Sequence, residues 1–194
     1  PPYAYRCPWQ SADPMHCGEL AANAVAERID ALGQSEVAAV LMEPNAGTNG
    51  IVAPDNYWPA LRSLTRERQV YLIADEVMSG FGRCGEWFAW QRHGPDGVPD
   101  LMTLAKGLTG AHLPLGAVVL RQPVADALRS QMLLTGLTYC GHPLSCAAGV
   151  AAIRSYQEEG LIARSRHLGQ QMHAQLLAMQ RRHAVIGDVR GGHG

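Results

Sequence analysis

The chain has 194 residues, of which 47% are hydrophobic, and its formal net charge at pH 7 is -1. These values fit one globular domain or slightly more than one, and they give no reason to expect nucleic acid or an anionic membrane surface as a partner. No apolar run approaches the length of a membrane span, and the start Pro1-Pro2-Tyr3 resembles neither a signal nor a transit peptide.

Hydrophobic periodicity predicts helices alternating with short buried strands. The first half is predicted to contain, in chain order, an irregular segment 1–18, helix 19–32, strand 37–42, a turn in "NAGTNG", helix 56–69 and strand 70–74. The second half is predicted to contain strand 100–105, strand 116–120, helix 143–159 and helix 161–182. A strand, a crossover helix and another strand form a βαβ unit, so we expect an α/β protein with a mostly parallel sheet.

The cysteines are five in number and none has the C-x-x-C spacing of zinc or redox motifs; they are Cys7, Cys17, Cys84, Cys140 and Cys146. The eight histidines also lack a metal-ligand pattern. We therefore expect reduced thiols, a cytoplasmic location and no metal site.

Two charged residues close predicted buried strands at their carboxyl ends. Asp75 follows "VYLIA", and Lys106 follows "DLMTLA". Lys106 is the only lysine among the 16 basic residues. Ligands of open α/β sheets bind at the carboxyl edge of the strands, so the two side chains are predicted to face one crevice. On position alone, a buried ion pair is the simpler interpretation.

Three linked motifs favour a functional interpretation. The segments "ADEVMSGFGRCGEWFA", "PDLMTLAKGLTGAHLPLGAVVL" and "GLTYCGHPLSCAAG", in this order and spacing, resemble the class III aminotransferases, which are pyridoxal-phosphate enzymes of fold type I. The resemblance is dense from residue 39 to residue 159. It implies the large domain of that fold, pyridoxal 5'-phosphate as cofactor, an amino donor and a keto acid as substrates, and a homodimer with shared active sites.

The resemblance gives each strand-end residue a chemical role. Lys106 matches the lysine that forms the Schiff base with the cofactor aldehyde and then moves a proton to or from the substrate α-carbon. Asp75 matches the carboxylate that keeps the pyridine nitrogen protonated, so that the ring can accept electrons. Burial of an ionised acid is unfavourable unless the acid is paired, and the resemblance implies that the cofactor is the partner of this strand-end carboxylate.

Four further positions are assigned by the same resemblance. Val77 matches the apolar residue that packs on one face of the cofactor ring, and Thr138 matches the threonine that binds the cofactor phosphate across a dimer interface. Glu76 is expected to make structural hydrogen bonds. Met78 stands where relatives often have glutamine, which would alter contacts to the ring hydroxyl.

The turn "EPNAGTNG" bears on the substrate. Thr48 stands where ornithine and 4-aminobutyrate aminotransferases have an acidic residue that controls a substrate-binding arginine. Thr48 makes no such ion pair, so the resemblance points to the ω-amino acid or amine:pyruvate branch, with pyruvate as acceptor. Gly47 and Gly50 are interpreted as turn formers.

Family members are longer than this chain, and we expect it to be the central part of such an enzyme. Residues 1–160 are predicted to be part of the cofactor-binding large domain, and residues 161–194 the start of the C-terminal small domain. Counterparts of the glycine-rich phosphate loop, the upstream stacking aromatic and the downstream carboxylate-binding arginine are not recognisable. Arg190 matches a family position near the start of the small domain and is given no binding role.

Three alternatives stay open at this point. An aminomutase, decarboxylase or racemase of the same fold would share Asp75 and Lys106, although the turn "GFGR" favours a transaminase over an aminomutase of the glutamate-semialdehyde type. A non-catalytic fragment that acts only in folding or dimerisation would also fit. A dinucleotide-binding domain fits less well, because no G-x-G-x-x-G follows a predicted strand.

Overall fold

The computed structural model describes all of residues 1–194. The helices and strands, in chain order, are α1 Pro14–Leu32, β1 Ala39–Met42, β2 Asn45–Ala46, β3 Ile51–Val52, α2 Tyr57–Glu67, β4 Tyr71–Asp75, β5 Leu101–Leu104, β6 Ala117–Leu120, α3 Gln122–Leu128, α4 Pro143–Glu158 and α5 Leu161–Arg182. Short 3₁₀ turns lie at Ala4–Arg6, Gln34–Glu36, Ala89–His93, Pro95–Gly97 and Lys106–Thr109.

The main sheet has the strand order β1-β4-β5-β6. Strands β1, β4 and β5 run parallel to one another, and β6 pairs antiparallel with β5. The connection from β1 through α2 to β4 is the predicted βαβ unit, and its two strands are neighbours in the sheet. The predicted fold class, an α/β protein with a mostly parallel sheet, is confirmed.

Helix α2 packs on the sheet through three large, almost fully buried side chains. Tyr57, Trp58 and Leu61 form a cluster with Leu72 and Ala74 of β4 and with residues of α1. Burial of each large apolar side chain contributes about 1.5–3 kcal/mol. The cluster therefore fixes β4, and with it the position of the residue that ends β4.

Helix α1 begins at Pro14 and not at Glu19, so the prediction of an irregular segment through residue 18 is wrong. Asp13 caps the helix, since its side chain accepts a hydrogen bond of 2.9 Å from the Met15 backbone N–H, and Pro14 occupies the first turn. Gly18 lies where any side chain would collide with Asn56, so it lets α1 approach the start of α2 closely.

Three elements were not predicted, namely β2, β3 and α3. The turn "NAGTNG" belongs to a small hairpin, in which β2 pairs antiparallel with β3. Two-residue strands are too short for a hydrophobic period to identify them. Helix α3 is only seven residues long and none of its residues is buried, so its apolar pattern is too short to identify it.

The cysteine prediction is wrong for one pair. Cys7 and Cys17 form a disulfide, because the first turn of α1 and the preceding loop bring their Cα atoms to 6.1 Å. Cys84, Cys140 and Cys146 are free thiols. The cytoplasmic location stays a prediction. None of the helices combines the length and apolar character needed to cross a bilayer.

Helix α5 has the predicted bounds and packs on the glycine-rich turn that follows β4. Ser165 Oγ donates to the Gly82 carbonyl at 2.7 Å, and Arg166 Nε donates to the Gly85 carbonyl at 2.9 Å. Arg166 also pairs with Glu86 at 2.6 Å. The division of the chain into two domains at residue 160 stays a prediction.

Candidate active site

Asp75 is the last residue of β4 and is half-buried. Its carboxylate accepts a hydrogen bond of 3.0 Å from the backbone N–H of Val77, two residues further on. Aspartate side chains commonly bond the backbone two residues ahead at such turns. The bond occupies Oδ1 of Asp75, and no side chain of the protein forms an ion pair with this carboxylate.

Lys106 begins the 3₁₀ turn that follows β5. Its side chain is exposed and its Nζ contacts Sδ of Met78, which is a weak acceptor. The backbone of Lys106 has φ of +43°, a left-handed conformation that is uncommon for a residue with a side chain. Strained residues of this kind persist only where the surrounding structure holds them, and they occur often at functional sites.

The sheet register relates the two charged residues. Asp75 pairs with Thr103 across β4 and β5, and Lys106 follows Thr103 by three residues. The Glu76 N–H continues the ladder with a bond of 3.0 Å to the Thr103 carbonyl. Asp75 and Lys106 therefore lie at the carboxyl edge of neighbouring parallel strands, as the sequence predicts.

The segment after Asp75 connects the two strand ends. Val77 is half-buried and supplies the N–H that binds Asp75. Met78 contacts Lys106 and packs against Gly47, where an added Cβ would lie 2.5 Å from Cβ of Met78. The Gly47 N–H donates to Glu43 at 2.8 Å, so the turn after β1 is held beside Met78.

Thr138 is exposed and lies in the irregular segment between α3 and α4. It lines an open groove of about 1350 Å³ together with Lys106. Asp75 lines a different cavity, of about 870 Å³, beside α1 and β1. Within one chain, the structure thus brings Thr138 to the groove of Lys106 but not to the cavity of Asp75.

Glu76 is fully buried and makes the structural hydrogen bonds expected from the sequence. Its carboxylate accepts from Ser79 Oγ at 2.6 Å and from the backbone N–H groups of Ala89 and Trp90 at 3.0 Å each. These bonds close the loop of residues 76–90 onto the end of β4. Burial raises the pKa of Glu76 above its ordinary value of 4.5; hydrogen bonds from Ser79, Trp90 and Ala89 oppose this, and the nearby Asp75 carboxylate adds to it.

Replacement of Glu76 by glutamine is expected to lower the free energy of unfolding by about 1–3 kcal/mol, because an amide nitrogen would face a backbone N–H in the buried site. The wild-type chain, whose folded-state pKa is raised at Glu76, should lose stability as pH rises from 4.5 through that folded-state value. Glu76→Gln should lack this loss. Denaturant unfolding at several pH values measures both effects. If the stability of Glu76→Gln depended on pH as that of the wild type does, the raised pKa of Glu76 would be contradicted.

Two residues at this edge were missed by the sequence analysis. Thr103 has a buried Oγ1 that makes no hydrogen bond. It pairs with Asp75 in the sheet, and paired residues project from the same face, so this hydroxyl lies on the face of the sheet that carries Asp75. Tyr156 of α4 donates from its hydroxyl to the Gly107 carbonyl at 2.7 Å, next to Lys106. Thr103 could have been found from the sequence, because it lies in the predicted strand three residues before Lys106. No local pattern indicates Tyr156, which comes from a distant helix.

The donor set fits pyridoxal 5'-phosphate. A half-buried carboxylate suits a protonated ring nitrogen, an exposed amine suits an aldehyde, and a buried hydroxyl without a partner suits a further polar ring atom. The predicted single crevice for the two charged residues is not seen, because Lys106 lines the open groove whereas Asp75 lines the cavity beside α1 and β1.

The fold and this site define an α/β protein with a carboxylate and a single lysine at one edge of a parallel sheet. Residues 3–194 match the family described as Aminotransferase class-III. The chain is 42% identical over 151 residues to a putrescine–pyruvate aminotransferase of Pseudomonas aeruginosa, covering 77% of this chain and 33% of that protein. It is 42% identical over 172 residues to an omega-aminotransferase of Caulobacter vibrioides, covering 84% of this chain and 38% of that protein.

Solved structures agree with these relatives. An amine transaminase from an uncultivated Pseudomonas species, in its PLP-bound form, superposes with a TM-score of 0.92 at 38% identity and covers 99% of this chain and 44% of that one. The chain belongs to the class III aminotransferase family. It spans 33% and 38% of the length of the two curated relatives described above.

Proposed function

We propose that the chain is the cofactor-holding part of an aminotransferase, which moves an amino group from an amine or amino acid to a keto acid. The observation that carries the proposal is the placement of Asp75 and the only lysine, Lys106, at one edge of neighbouring parallel strands. When bound, pyridoxal 5'-phosphate supplies an aldehyde that accepts the amino group and a ring that withdraws electrons.

The residues of the chain take distinct roles in this proposal. Asp75 holds a proton on the ring nitrogen through its negative charge. Lys106 attaches the cofactor through its amine, and the freed amine then moves a proton at the α-carbon of the substrate. Val77 packs on one face of the ring, which limits its orientation.

We infer a homodimer in which Thr138 of the partner subunit binds the cofactor phosphate. Support comes from the segment around Thr138, where Met132, Leu134, Leu137 and Tyr139 are each at least 80% exposed. Contiguous exposed apolar residues mark interaction surfaces in proteins of known assembly. Sedimentation equilibrium of the wild type should give the mass of two chains. The double variant Leu134→Asp with Leu137→Asp should give the mass of a single chain. A wild type that stays monomeric at all concentrations would contradict the dimer.

We infer pyruvate as the preferred keto acid. Thr48, at the tip of the β2–β3 hairpin, is exposed and carries no charge that could hold an arginine away from the substrate. One relative is named as a putrescine–pyruvate aminotransferase, which agrees with this. Another relative is named for 2-oxoglutarate as acceptor, so pyruvate and 2-oxoglutarate are the two keto acids to compare.

The test of amino transfer is a single-turnover experiment. The chain is loaded with pyridoxal phosphate, freed of excess cofactor and mixed with putrescine or alanine. Pyridoxamine phosphate should appear in the wild type, pyruvate should reverse its formation faster than 2-oxoglutarate does, and Lys106→Arg should give no product.

Other outcomes separate the alternatives. Release of carbon dioxide would favour a decarboxylase, and an isomeric amino compound would favour an aminomutase. A folded chain that binds no cofactor would act only as a folding or dimerisation unit, and the proposed function would then be wrong for this chain.

A further inference from the structure

Two residues with side chains adopt left-handed backbone conformations in turns that touch each other. Phe81, in the glycine-rich turn, has φ of +56°, and Lys106 has φ of +43°. A Cβ added to Gly107 would lie 2.7 Å from Cβ of Phe81, so the two turns are in direct contact there. Each such conformation costs about 1–3 kcal/mol and needs neighbouring groups to hold it.

Tyr156 of helix α4 contacts both turns. Its hydroxyl donates to the Gly107 carbonyl at 2.7 Å, and its ring stacks on Phe81 with a centroid distance of 5.8 Å and an interplanar angle of 27°. Trp87 packs edge-on against the Tyr156 ring, with a centroid distance of 5.9 Å. One side chain therefore connects the residue after Lys106 to the other strained position.

Helix α4 packs against the 3₁₀ turn Lys106–Thr109, called the lysine turn below, and can act as a rigid support for it. Gly149 lies on its inner face, where an added Cβ would be 3.5 Å from the Leu108 carbonyl oxygen and 3.2 Å from Leu115. The Gly107 carbonyl also accepts from the Gly110 N–H at 3.1 Å within the 3₁₀ turn. Burial raises the pKa of Tyr156, and the neutral phenol is the form that donates this hydrogen bond.

We propose that Tyr156 is a positioning residue for Lys106: its hydroxyl bond to Gly107 and its stacking on Phe81 hold the lysine turn in the left-handed conformation that presents the amine to the site. Tyr156 acts on Lys106 through the turn and takes no part in the chemistry itself. The inference rests on the proposed function, because it concerns the amine that attaches the cofactor.

The test compares Tyr156→Phe, which removes the hydroxyl and keeps the ring, with Tyr71→Phe, which removes an exposed hydroxyl elsewhere on the sheet. Without cofactor, Tyr156→Phe should speed hydrogen exchange of the Leu108, Gly110 and Ala111 amides roughly three- to tenfold relative to amides of α1 and α2, the effect of one lost hydrogen bond. Tyr71→Phe should leave this ratio unchanged. The ratio corrects for any general loss of stability.

The second readout is covalent attachment of pyridoxal phosphate. Its concentration for half-maximal attachment to Lys106, trapped with borohydride, should rise by a similar factor in Tyr156→Phe only. A merely structural tyrosine would change thermal unfolding but neither the exchange ratio nor the attachment. Equal exchange ratios, or equal attachment by all three proteins, would overturn the inference and leave the proposed function intact.

Failure of the proposed function has a different signature. If the folded wild-type chain attaches no pyridoxal phosphate, the function is wrong for this chain, and the exchange ratio alone decides about Tyr156. Faster hydrogen exchange confined to the lysine turn in Tyr156→Phe would then support the role of Tyr156 in positioning Lys106. An unchanged exchange ratio would reject that role.

Discussion

Asp75→Asn is expected to slow the single-turnover formation of pyridoxamine phosphate on the order of a hundredfold or more, the scale seen when a preorganised electrostatic group is removed from an active site. An amide has nearly the shape of the carboxylate, so the bond from the Val77 N–H can be kept. It has no negative charge to keep a ring nitrogen protonated. Stopped-flow absorbance after mixing with the amino donor measures the rate.

Asp126→Asn provides the matched control, because it makes the same change on the exposed helix α3. It should react at the wild-type rate. Asp75→Glu keeps the charge and should retain more activity than Asp75→Asn. A wild-type rate for Asp75→Asn in a folded, cofactor-loaded chain would show that this carboxylate does not serve the ring nitrogen.

Arg62→Met is expected to destabilise the chain by about 3–5 kcal/mol, because it removes one partner of a buried ion pair. Arg62 is 3% exposed and binds both carboxylate oxygens of Asp100, one of them at 2.7 Å. The same carboxylate accepts from the Leu72 N–H at 2.9 Å and lies 3.6 Å from Arg121. Denaturant unfolding measures the loss.

Asp100 also gives this ion pair a pH dependence. Burial opposes ionisation, but hydrogen bonds from Arg62 and the Leu72 N–H, with the charges of Arg62 and Arg121, hold the pKa of Asp100 below its ordinary value of 3.8. Because the folded-state pKa is lowered, the contribution is fully present above 3.8 and is lost as pH falls through the lower folded-state value.

The double variant Arg62→Met with Asp100→Asn tests whether the loss comes from the pair. It should be less destabilising than the sum of the single variants, since no unpaired charge stays buried. Arg129→Met, which breaks an exposed pair with Asp126, should change stability by less than about 1 kcal/mol. Additive effects in the double variant would contradict coupling between Arg62 and Asp100.

Local sequence patterns were sufficient to predict the βαβ unit and the strand-end positions of Asp75 and Lys106. Buried parallel strands are short apolar runs, so the residue that ends each run is visible in the sequence. The parallel neighbours β4 and β5 then place both ends at one edge, which follows from topology. The family resemblance supplied the chemical roles, which strand position alone did not decide.

Other features depend on contacts between distant parts of the chain. Tyr156 and Gly107 are 49 residues apart, and Glu76 binds backbone groups 13 and 14 residues ahead. No local period encodes such bonds. The left-handed conformation of Lys106 was equally hidden, because glycine is the only strong sequence signal for positive φ.

The role of Lys106 is tested most directly by locating the covalent adduct formed with pyridoxal phosphate. The chain is incubated with the cofactor, reduced with borohydride, digested and mapped by mass spectrometry. Because Lys106 is the only lysine, we expect one adduct on its peptide and none in Lys106→Arg. A folded wild-type chain without an adduct, or with an adduct only at the N-terminal amine of Pro1, would show that Lys106 does not attach the cofactor.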